Sequence, residues 1–362
     1  MGFRDFLTVL KTNKKYKTVF IISIFVAVFI LAGAVAAKRY SKKPAQVATK
    51  TAVAKPIVAD QLVTCALDGK SYKKELATRH PLAVIVENHP EARPQSGLSQ
   101  ASIVYEAITE GGITRNLAIF GPNDASEVGP IRSARLFFMD WLKEYDAFFA
   151  HAGGNEDALA NIGAYGIKDI PHTNPYYWRD SKGRKVASEH TLYSSTQKLY
   201  ELATKDGFDI NTSSFDTLKF RPEKPVAGGK GVEIDFSHNA SYKVKWEYRT
   251  TDNVYLRSLA GKEHVDLSNN EQIKAKNIII QYVDRTLQPT GSYGSENWVF
   301  TTKGSGDAKI LRDGEVIEAT WKKASRDERT KFFDKAGVEI AFSPGSTWYE
   351  IASVGTTTVT EI

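Results

Sequence analysis

The sequence predicts an α/β or α+β N-terminal domain followed by a β-rich C-terminal domain, with one N-terminal transmembrane helix ahead of both. Three patterns support this: an uncharged apolar run at 19–37, strands interleaved with helices at 65–215, and two-residue alternation at 231–355. A chain of 362 residues has room for two globular domains. Its composition, 42% hydrophobic and 25% charged, is typical of a folded chain and excludes a wholly disordered or polytopic membrane protein.

The basic charge of the chain is concentrated at its N-terminus. Residues 1–60 contain eleven lysines and arginines against two acids, whereas the remainder contains 37 against 40 and is slightly acidic. Binding to a phosphate backbone needs excess positive charge, so nucleic acid is not expected as a partner. The single cysteine, Cys65, excludes an internal disulfide framework and a multi-cysteine zinc site.

Residues 19–37 are predicted to form a transmembrane signal anchor. These nineteen positions carry no charge, and at about 1.5 Å per residue a helix of this length crosses a hydrocarbon core about 30 Å thick. A signal peptide cleaved at 34–36 is the alternative, although its apolar region would be shorter. We expect a basic cytoplasmic tail at 1–18, a spacer at 38–64, and the bulk of the chain outside the cytoplasm as a single-pass protein of the cell membrane.

Local signals place the elements of the first domain, 65–215. The apolar run Pro81–Glu87 predicts a buried strand, and the runs flanking Glu110-Gly111-Gly112 predict a hairpin. Gly129-Pro130 predicts the start of a helix over Ile131–Tyr145. The remaining predictions are a strand at 147–150, a helix from Asn155 to Ile162, and a helix capped by Ser194 or Ser195 and ended by Gly207.

A linker at 216–230, which contains two prolines and a glycine-rich turn, marks the predicted domain boundary. Short alternating runs follow and predict a β-rich unit of sandwich or barrel type at 231–355. The runs are Val232–Phe236, Tyr242–Arg249, Val254–Ser258, Ile278–Val283, Trp298–Thr302, Ala308–Arg312, Val316–Lys322, Val338–Phe342 and Thr347–Ala352.

Long motifs of this chain resemble the bacterial YerB-like lipoprotein family. They are IVENHPEARPQSGLSQASIVYEAITEGGITRNLAIF from Ile85, VGPIRSARLFFMDWLKEYDAFFAHAGG from Val128, WRD at 178–180 and EHTLYSS at 189–195. The resemblance covers about 65–355 and implies an envelope protein on the outer face of the cytoplasmic membrane, in a family of unknown function. It implies no reaction and no catalytic residue. The chain departs from the family in having a transmembrane anchor in place of a lipid-bearing cysteine, and Thr191 where asparagine is frequent.

Arg132 and Arg135 are the principal candidates for a ligand site. In the first turn of the predicted helix they would share a face and oppose its partial positive charge, at roughly 0.3–1 kcal/mol each, and a bound anion would reverse this cost. Arginine suits phosphate or carboxylate. Internal pairing with Glu106, Glu110, Asp124 or Glu127 is the alternative. The candidate ligand-binding set is Arg93, Arg115, Arg132, Ser133, Arg135, Gly153, Gly154 and His190.

An acid/base site has less support. His151 with Glu106 or Glu110 would supply one, and a hydrogen-bonded structural histidine is the alternative. The histidines lack HxxxH and HExxH spacing, so no metal site is expected. The serines lack the GxSxG turn of a serine nucleophile. No cofactor is expected.

Three classes of function follow from these residues. The first is an envelope accessory protein that binds an anionic cell-wall or lipid-linked precursor or an envelope protein partner. The second is an envelope transferase or hydrolase acting on a phosphate-linked or wall substrate, and the third is a structural scaffold. We rank binding first because the motifs contain arginines, glycines and aromatic residues, whereas they show no complete set of a nucleophile and a base.

Overall fold

The computed structural model describes Gly2, Lys15, Thr18 and residues 62–288 and 296–362. The predicted anchor at 19–37, and most of the tail and spacer around it, lie outside the described residues. Within the described part of the chain, no helix is long and apolar enough to cross a membrane. The last three residues of the predicted spacer form the strand Leu62–Thr64.

The N-terminal region interleaves strands with helices, as predicted. Asn155 and Ser195 cap two of the helices by accepting hydrogen bonds from the N–H groups of Ala158 and Lys198. The strands are β1 (Leu62–Thr64), β2 (Ser71–Lys73), β3 (Leu82–Glu87), β4 (Ile103–Ile108), β5 (Thr114–Phe120), β6 (Phe148–Ala150), β7 (Lys168–Asp169), β8 (Trp178–Arg179) and β9 (Leu192–Tyr193). The α-helices are α1 (Lys74–Ala77), α2 (Leu136–Leu142), α3 (Glu156–Asn161) and α4 (Thr196–Lys205). Short 3₁₀ helices are Pro90–Ala92, Leu98–Gln100, Glu110–Gly112, Lys143–Tyr145 and Ser188–His190.

The C-terminal region is rich in strands, as predicted. The run at Val338–Phe342 is the exception, because Glu339 and Phe342 form isolated bridges there and no strand. The strands are β10 (Val232–Asp235), β11 (Lys243–Arg249), β12 (Val254–Leu259), β13 (Lys262–Glu263), β14 (Val265–Asp266), β15 (Glu271–Gln272), β16 (Lys274–Ala275), β17 (Asn277–Val283), β18 (Arg285–Gln288), β19 (Asn297–Phe300), β20 (Gly304–Arg312), β21 (Glu315–Lys323), β22 (Lys331–Phe333), β23 (Thr347–Ser353) and β24 (Thr358–Glu361). A 3₁₀ helix occupies Ala240–Tyr242.

One ten-stranded sheet contains strands of both regions, in the order β22-β21-β20-β17-β23-β4-β5-β3-β6-β7. The C-terminal strand β23 pairs in parallel with the N-terminal strand β4, so the C-terminal region does not form a separate sandwich. Strands β17, β23, β4, β3 and β6 all run in one direction, and β5 runs in the other. The carboxyl ends of these parallel strands therefore lie along one edge of the sheet.

The two faces of this sheet are covered differently. One face packs on a six-stranded sheet, ordered β13-β12-β11-β10-β24 with β16 beside β12, and Trp246 and Trp348 lie in the core between the two sheets. The other face packs against α2 through Phe138 and Trp141. Burial of side chains of this size contributes about 1.5–3 kcal/mol each. Polar groups between the sheets are consequently kept from water.

The helix predicted from Gly129-Pro130 begins later, at Leu136. The Arg132 N–H donates to the carbonyl of Ile85 (2.9 Å), and the Glu87 N–H donates to the carbonyl of Pro130 (2.8 Å). Strand β6 covers only the first half of β3, so this segment satisfies backbone groups that β6 leaves unpaired. Pairing with the sheet thus overrides the local helix-start signal.

The predicted linker at 216–230 contains no α-helix or strand, but it is packed against the globular part. Leu218 is buried, and Phe220 forms a bridge with Phe342 of the C-terminal region. The domain boundaries on either side of this segment stay a prediction.

Candidate functional site

Charged side chains gather at the edge of the ten-stranded sheet where its parallel strands end. Glu87 is the last residue of β3, Glu110 lies two residues beyond β4, and Arg115 of β5 pairs in register with Glu87. Ligands of open α/β sheets usually bind at this kind of edge. We call the following residues the edge cluster: Glu87, Glu110, Arg115, Arg132, Arg135 and His190.

The predicted helical placement of the two principal arginines is wrong. Arg132 lies in the extended segment that pairs with β3, and Arg135 precedes the first residue of α2 with extended angles, φ −131° and ψ 144°. Neither side chain therefore stands on the first turn of a helix. Both nevertheless belong to the edge cluster, because the extended segment runs along the sheet edge.

Two guanidinium groups share the carboxylate of Glu110. Arg115 Nη2 donates to Glu110 Oε1 (2.5 Å), and Arg135 Nε donates to Glu110 Oε2 (3.0 Å). Burial raises the pKa of Glu110, but the two arginines outweigh it and lower that pKa to about 2. Burial, with repulsion from Arg115, lowers the pKa of Arg135 to about 10. Positive charge therefore exceeds negative charge at this point.

Arg132 joins two further carboxylates. Its Nε lies 2.6 Å from Glu87 Oε2, and its Nη2 donates to Glu189 Oε1 (2.8 Å). The Glu87 side chain is only 2% exposed, whereas those of Arg132 and Glu189 are 24% and 51% exposed. Arg132 thus combines internal pairing with access to solvent. His190 Nδ1 lies 3.6 Å from the same Glu87 oxygen.

The arginines of the edge cluster pair with carboxylates of the same chain, as the alternative interpretation expected, but most of these carboxylates are not the ones it named. Of the acids named for it, only Glu110 pairs with the cluster. Glu106, Asp124 and Glu127 pair with other basic residues, namely Arg257, Arg79 and Lys182. The sequence analysis missed Glu87, since it ends an apolar strand, and Glu189, whose loop returns to the edge only in three dimensions.

Two predicted ligand residues do not present their side chains as expected. Arg93 donates to the side-chain and backbone oxygens of Asn88 (3.0 and 2.8 Å) and lies over the ring of Tyr242. Burial lowers the pKa of Arg93 to about 10. Ser133 contributes its carbonyl, which accepts a 3.3 Å hydrogen bond from Arg115 Nη1.

His151 has the contacts of a hydrogen-bonded structural histidine, which was the alternative to an acid/base role. It is 1% exposed, its Nδ1 lies 2.7 Å from the carbonyl of Gly153, and its Nε2 lies 2.9 Å from Asp169 Oδ1. Both ring nitrogens face oxygens, so neither is available to a ligand. Gly153 adopts φ 67° and its carbonyl also accepts from the Ala134 N–H (2.8 Å), while Gly154 bridges Ala134. These glycines shape a turn.

Glu106 lies between the two sheets, remote from solvent. It accepts hydrogen bonds from Thr114 Oγ1 (2.6 Å), from Asn88 Nδ2 (3.1 Å) and from a guanidinium nitrogen of Arg257. Its strand neighbour in register is Glu350, which accepts from the indole of Trp246 (2.6 Å). We call the following residues the buried network: Glu106, Arg257, His264 and Glu350.

The buried network is electrostatically unusual because one arginine faces two carboxyl groups. Glu106, Arg257 and Glu350 have 0% exposed side chains. Burial and the adjacent Glu106 raise the pKa of Glu350 to about 8. Burial, with Arg257 next to it, holds the pKa of His264 well below its usual value, and its Nε2 donates to Gln95 Oε1 (2.8 Å). Sequence reasoning missed this network because its members are far apart along the chain.

A group of potential metal ligands adjoins the edge cluster. One donor atom each from His89, Glu91 and His190 lies within 4.8 Å of the others. The local spacing of the histidines did not predict a metal site, because His190 reaches His89 only through the tertiary fold.

Comparison with known proteins assigns the chain to a class. Two domains described as "Protein of unknown function (DUF3048)" match it, the N-terminal domain at residues 67–209 and the C-terminal domain at 232–349. The chain belongs to this family, which confirms the YerB-like assignment. It is 31% identical over 291 residues to the Bacillus subtilis (strain 168) protein named "Putative lipoprotein YerB", covering 79% of this chain and 85% of that protein. The crystal structure of YerB from Bacillus subtilis aligns with TM-score 0.73 and 27% identity, over 82% of this chain and 99% of that one.

Proposed function

We propose that this protein is an extracytoplasmic envelope protein that binds an anionic envelope component at the edge cluster. The family relationship supports the location, since a relative over most of the chain is named a lipoprotein. The uncharged run at 19–37 would serve here as the membrane attachment. The ligand would be a phosphate- or carboxylate-bearing wall component or its lipid-linked precursor.

The observation that supports anion binding is the sharing of Glu110 by Arg115 and Arg135. Burial, and then repulsion from Arg115 and Arg132, lowers the pKa of Arg135. An anion seated beside Arg132 and Arg135 would offset this repulsion, and arginine offers the planar donor geometry that phosphate accepts. The edge position is accessible, since Arg132 is partly exposed.

An enzymatic function is less well supported. Glu106 is enclosed between the sheets, both oxygens of Glu110 accept from arginine, and both nitrogens of His151 face oxygens. These three candidates therefore lie in separate environments and do not form an acid/base pair. A scaffold without ligand chemistry would have the same ion pairs and would bind no anion, which the experiment distinguishes.

The binding test uses the full chain in nanodiscs of zwitterionic lipid, with pyrophosphate, a soluble wall precursor and a lipid-linked wall precursor as probes. We expect Arg132→Gln and Arg135→Gln each to weaken binding about tenfold or more, since a hydrogen bond to a charged group contributes about 1.5–3 kcal/mol. Arg249→Gln is the matched control, because Arg249 forms a separate exposed pair with Asp252. Equal affinity in all variants, or no binding to the parent protein, would overturn anion recognition.

The location has its own test. Protease added to intact cells should degrade the globular part if residues 62–362 lie outside the cytoplasm. Protection from protease in intact cells, with degradation after lysis, would contradict the proposed location.

A further inference from the structure

Three potential metal ligands meet where the loop after β3 faces the turn before β9. The rings of His89 and His190 stack with centroids 4.7 Å apart and planes 8° apart. Glu91 stands in the 3₁₀ helix that follows His89, and one donor atom of each residue lies within 4.8 Å of the other two. Two imidazoles and a carboxylate are therefore already gathered without an ion.

Arg184 holds the two ligand-bearing segments together through their backbones. Its Nη1 donates to the carbonyl of Glu91 (2.9 Å), and its Nη2 lies 3.4 Å from the carbonyl of His190. The same side chain also contacts the carbonyl of Arg93 (3.1 Å) and the hydroxyl of Tyr193 (3.1 Å). Arg184 thus fixes the backbones of Glu91 and His190, which contributes to the preorganisation that a metal site requires. His89 Nδ1 accepts from the Glu91 N–H (3.3 Å), so Nε2 is the His89 nitrogen left for a metal.

The two nitrogens of His190 have different surroundings. Its Nδ1 is buried, has no hydrogen-bond partner among the described residues, and lies 3.6 Å from the buried carboxylate of Glu87. Its Nε2 lies 3.6 Å from Glu91 Oε2 and 3.8 Å from Glu189 Oε1.

The 3.6 Å separation between His190 Nε2 and Glu91 Oε2 is informative. It is too long for a hydrogen bond. Two ligands of a tetrahedral zinc ion, each about 2.1 Å from the metal, lie about 3.4 Å apart. The gap is therefore close to the size that one shared ion would fill.

The charges around this group are compatible with a cation. Two guanidinium groups oppose a cation here: Arg132, which is paired with both Glu87 and Glu189, and Arg184, which donates to the carbonyl of Glu91. The carboxylates of Glu87, Glu91 and Glu189 offset them.

We propose that His89, Glu91 and His190 form a binding site for one divalent transition-metal ion. Two nitrogens and one oxygen match Zn²⁺, with Co²⁺ and Ni²⁺ as chemically similar ions, whereas Mg²⁺ and Ca²⁺ prefer all-oxygen sites. Three protein ligands leave a fourth position for water or an external ligand. The site shares His190 with the edge cluster, and metal binding there does not depend on anion binding by the arginines.

The experiment is titration of the untagged full chain in detergent with Zn²⁺, followed by calorimetry and by competition with a chromophoric chelator. We expect one Zn²⁺ per chain, and a visible absorption spectrum of four-coordinate Co²⁺ on substitution. Glu91→Gln, whose side chain is 55% exposed and whose loss should not disturb folding, is expected to weaken Zn²⁺ binding about tenfold or more. His89→Ala with His190→Ala should abolish the specific site.

His238→Ala is the matched control, because His238 is a 69% exposed histidine in the C-terminal region and should not affect affinity. The proposal is overturned if the parent protein binds no Zn²⁺, or if the double-histidine variant and Glu91→Gln bind it as the parent does. An effect of His238→Ala equal to that of Glu91→Gln would also overturn it. Anion affinity is measured with chelator present, so that failure of one site leaves the other test unaffected.

Discussion

The buried network and the edge cluster use the same residue types in opposite proportions. Between the sheets, one arginine, Arg257, faces two carboxyl groups, and burial with Glu106 raises the pKa of Glu350 to about 8. At the sheet edge, two arginines face the single carboxylate of Glu110, whose pKa is lowered to about 2. Carboxyl groups therefore outnumber arginines in the buried network, whereas arginines outnumber carboxylates locally around Glu110.

The difference lies in how each excess can be balanced. A charge sealed between sheets has no access to solvent ions, so a proton on Glu350 is the available means of neutralisation. The edge cluster is partly exposed through Arg132, so water, salt or a ligand can balance it. The buried region is therefore suited to holding the two sheets together, whereas the edge is open to solvent and solutes.

The largest expected effect comes from removing the arginine of the buried network. Arg257→Leu leaves the Glu106 carboxylate without its cation, and breaking a buried pair in this way costs about 3–5 kcal/mol. We expect the free energy of unfolding, measured by urea titration of the full chain, to fall by that amount. Arg249→Leu removes an exposed pair and should cost less than about 1 kcal/mol. Similar losses in Arg257→Leu and Arg249→Leu would mean that the buried ion pair contributes no more to stability than an exposed one.

The pH dependence of stability should reveal the proton on Glu350. Folded Glu350 keeps its proton to about pH 8, whereas the unfolded chain releases it near pH 4.3, so unfolding releases a proton between these values. The free energy of unfolding should therefore fall as pH rises through this window, by at most about 1.4 kcal/mol per pH unit. Glu350→Gln removes this contribution.

Urea titrations at several pH values between 5 and 8 provide the measurement. The stability of Glu350→Gln relative to the parent protein should rise with pH. Glu247→Gln, at an exposed position, should follow the parent protein at every pH. Parallel curves for Glu350→Gln and the parent would show that Glu350 is ionised in the folded state.

Local signals were sufficient for parts of this architecture. The hairpin of β4 and β5 and the helix capped by Ser195 were predictable, because alternation and capping act within a few residues. The helix start predicted at Ile131 was wrong, since the helix begins at Leu136 and the segment before it pairs with β3 beyond the end of β6. Tertiary context decided that case.

Some residues of the candidate site were likewise predictable from local sequence, and others were not. Arg115, Arg132 and Arg135 were identifiable because they are charged residues in neighbouring motifs. Their partner Glu87 was not, because it closes an apolar strand and its pairing with Arg115 follows from strand register. Arg257 and Glu350 of the buried network lie on strands whose place in the two sheets no local pattern specifies.

An intermediate effect is expected at Glu110, the shared carboxylate of the edge cluster. Glu110→Gln keeps the shape but leaves Arg115 and Arg135 without their anion, so the free energy of unfolding should fall by about 1–3 kcal/mol. If the edge binds anions, the variant should bind pyrophosphate more tightly than the parent protein. Added pyrophosphate should then raise its melting temperature more than that of the parent. Loss of pyrophosphate binding in this variant would assign Glu110 to the ligand site itself.

The smallest effect is expected at Glu189, the exposed partner of Arg132. Its side chain is 51% exposed, and an ion pair of this kind contributes about 0–1 kcal/mol and weakens with salt. Glu189→Gln should therefore change the free energy of unfolding by less than about 1 kcal/mol. The difference should vanish in high salt. Chelator is present throughout, so that a bound metal does not contribute. A loss above about 2 kcal/mol that persists in high salt would show that the ion pair of Arg132 contributes to stability as a buried pair does. The sheet edge would then be a structural ion-pair cluster, and its availability to an external anion would no longer follow.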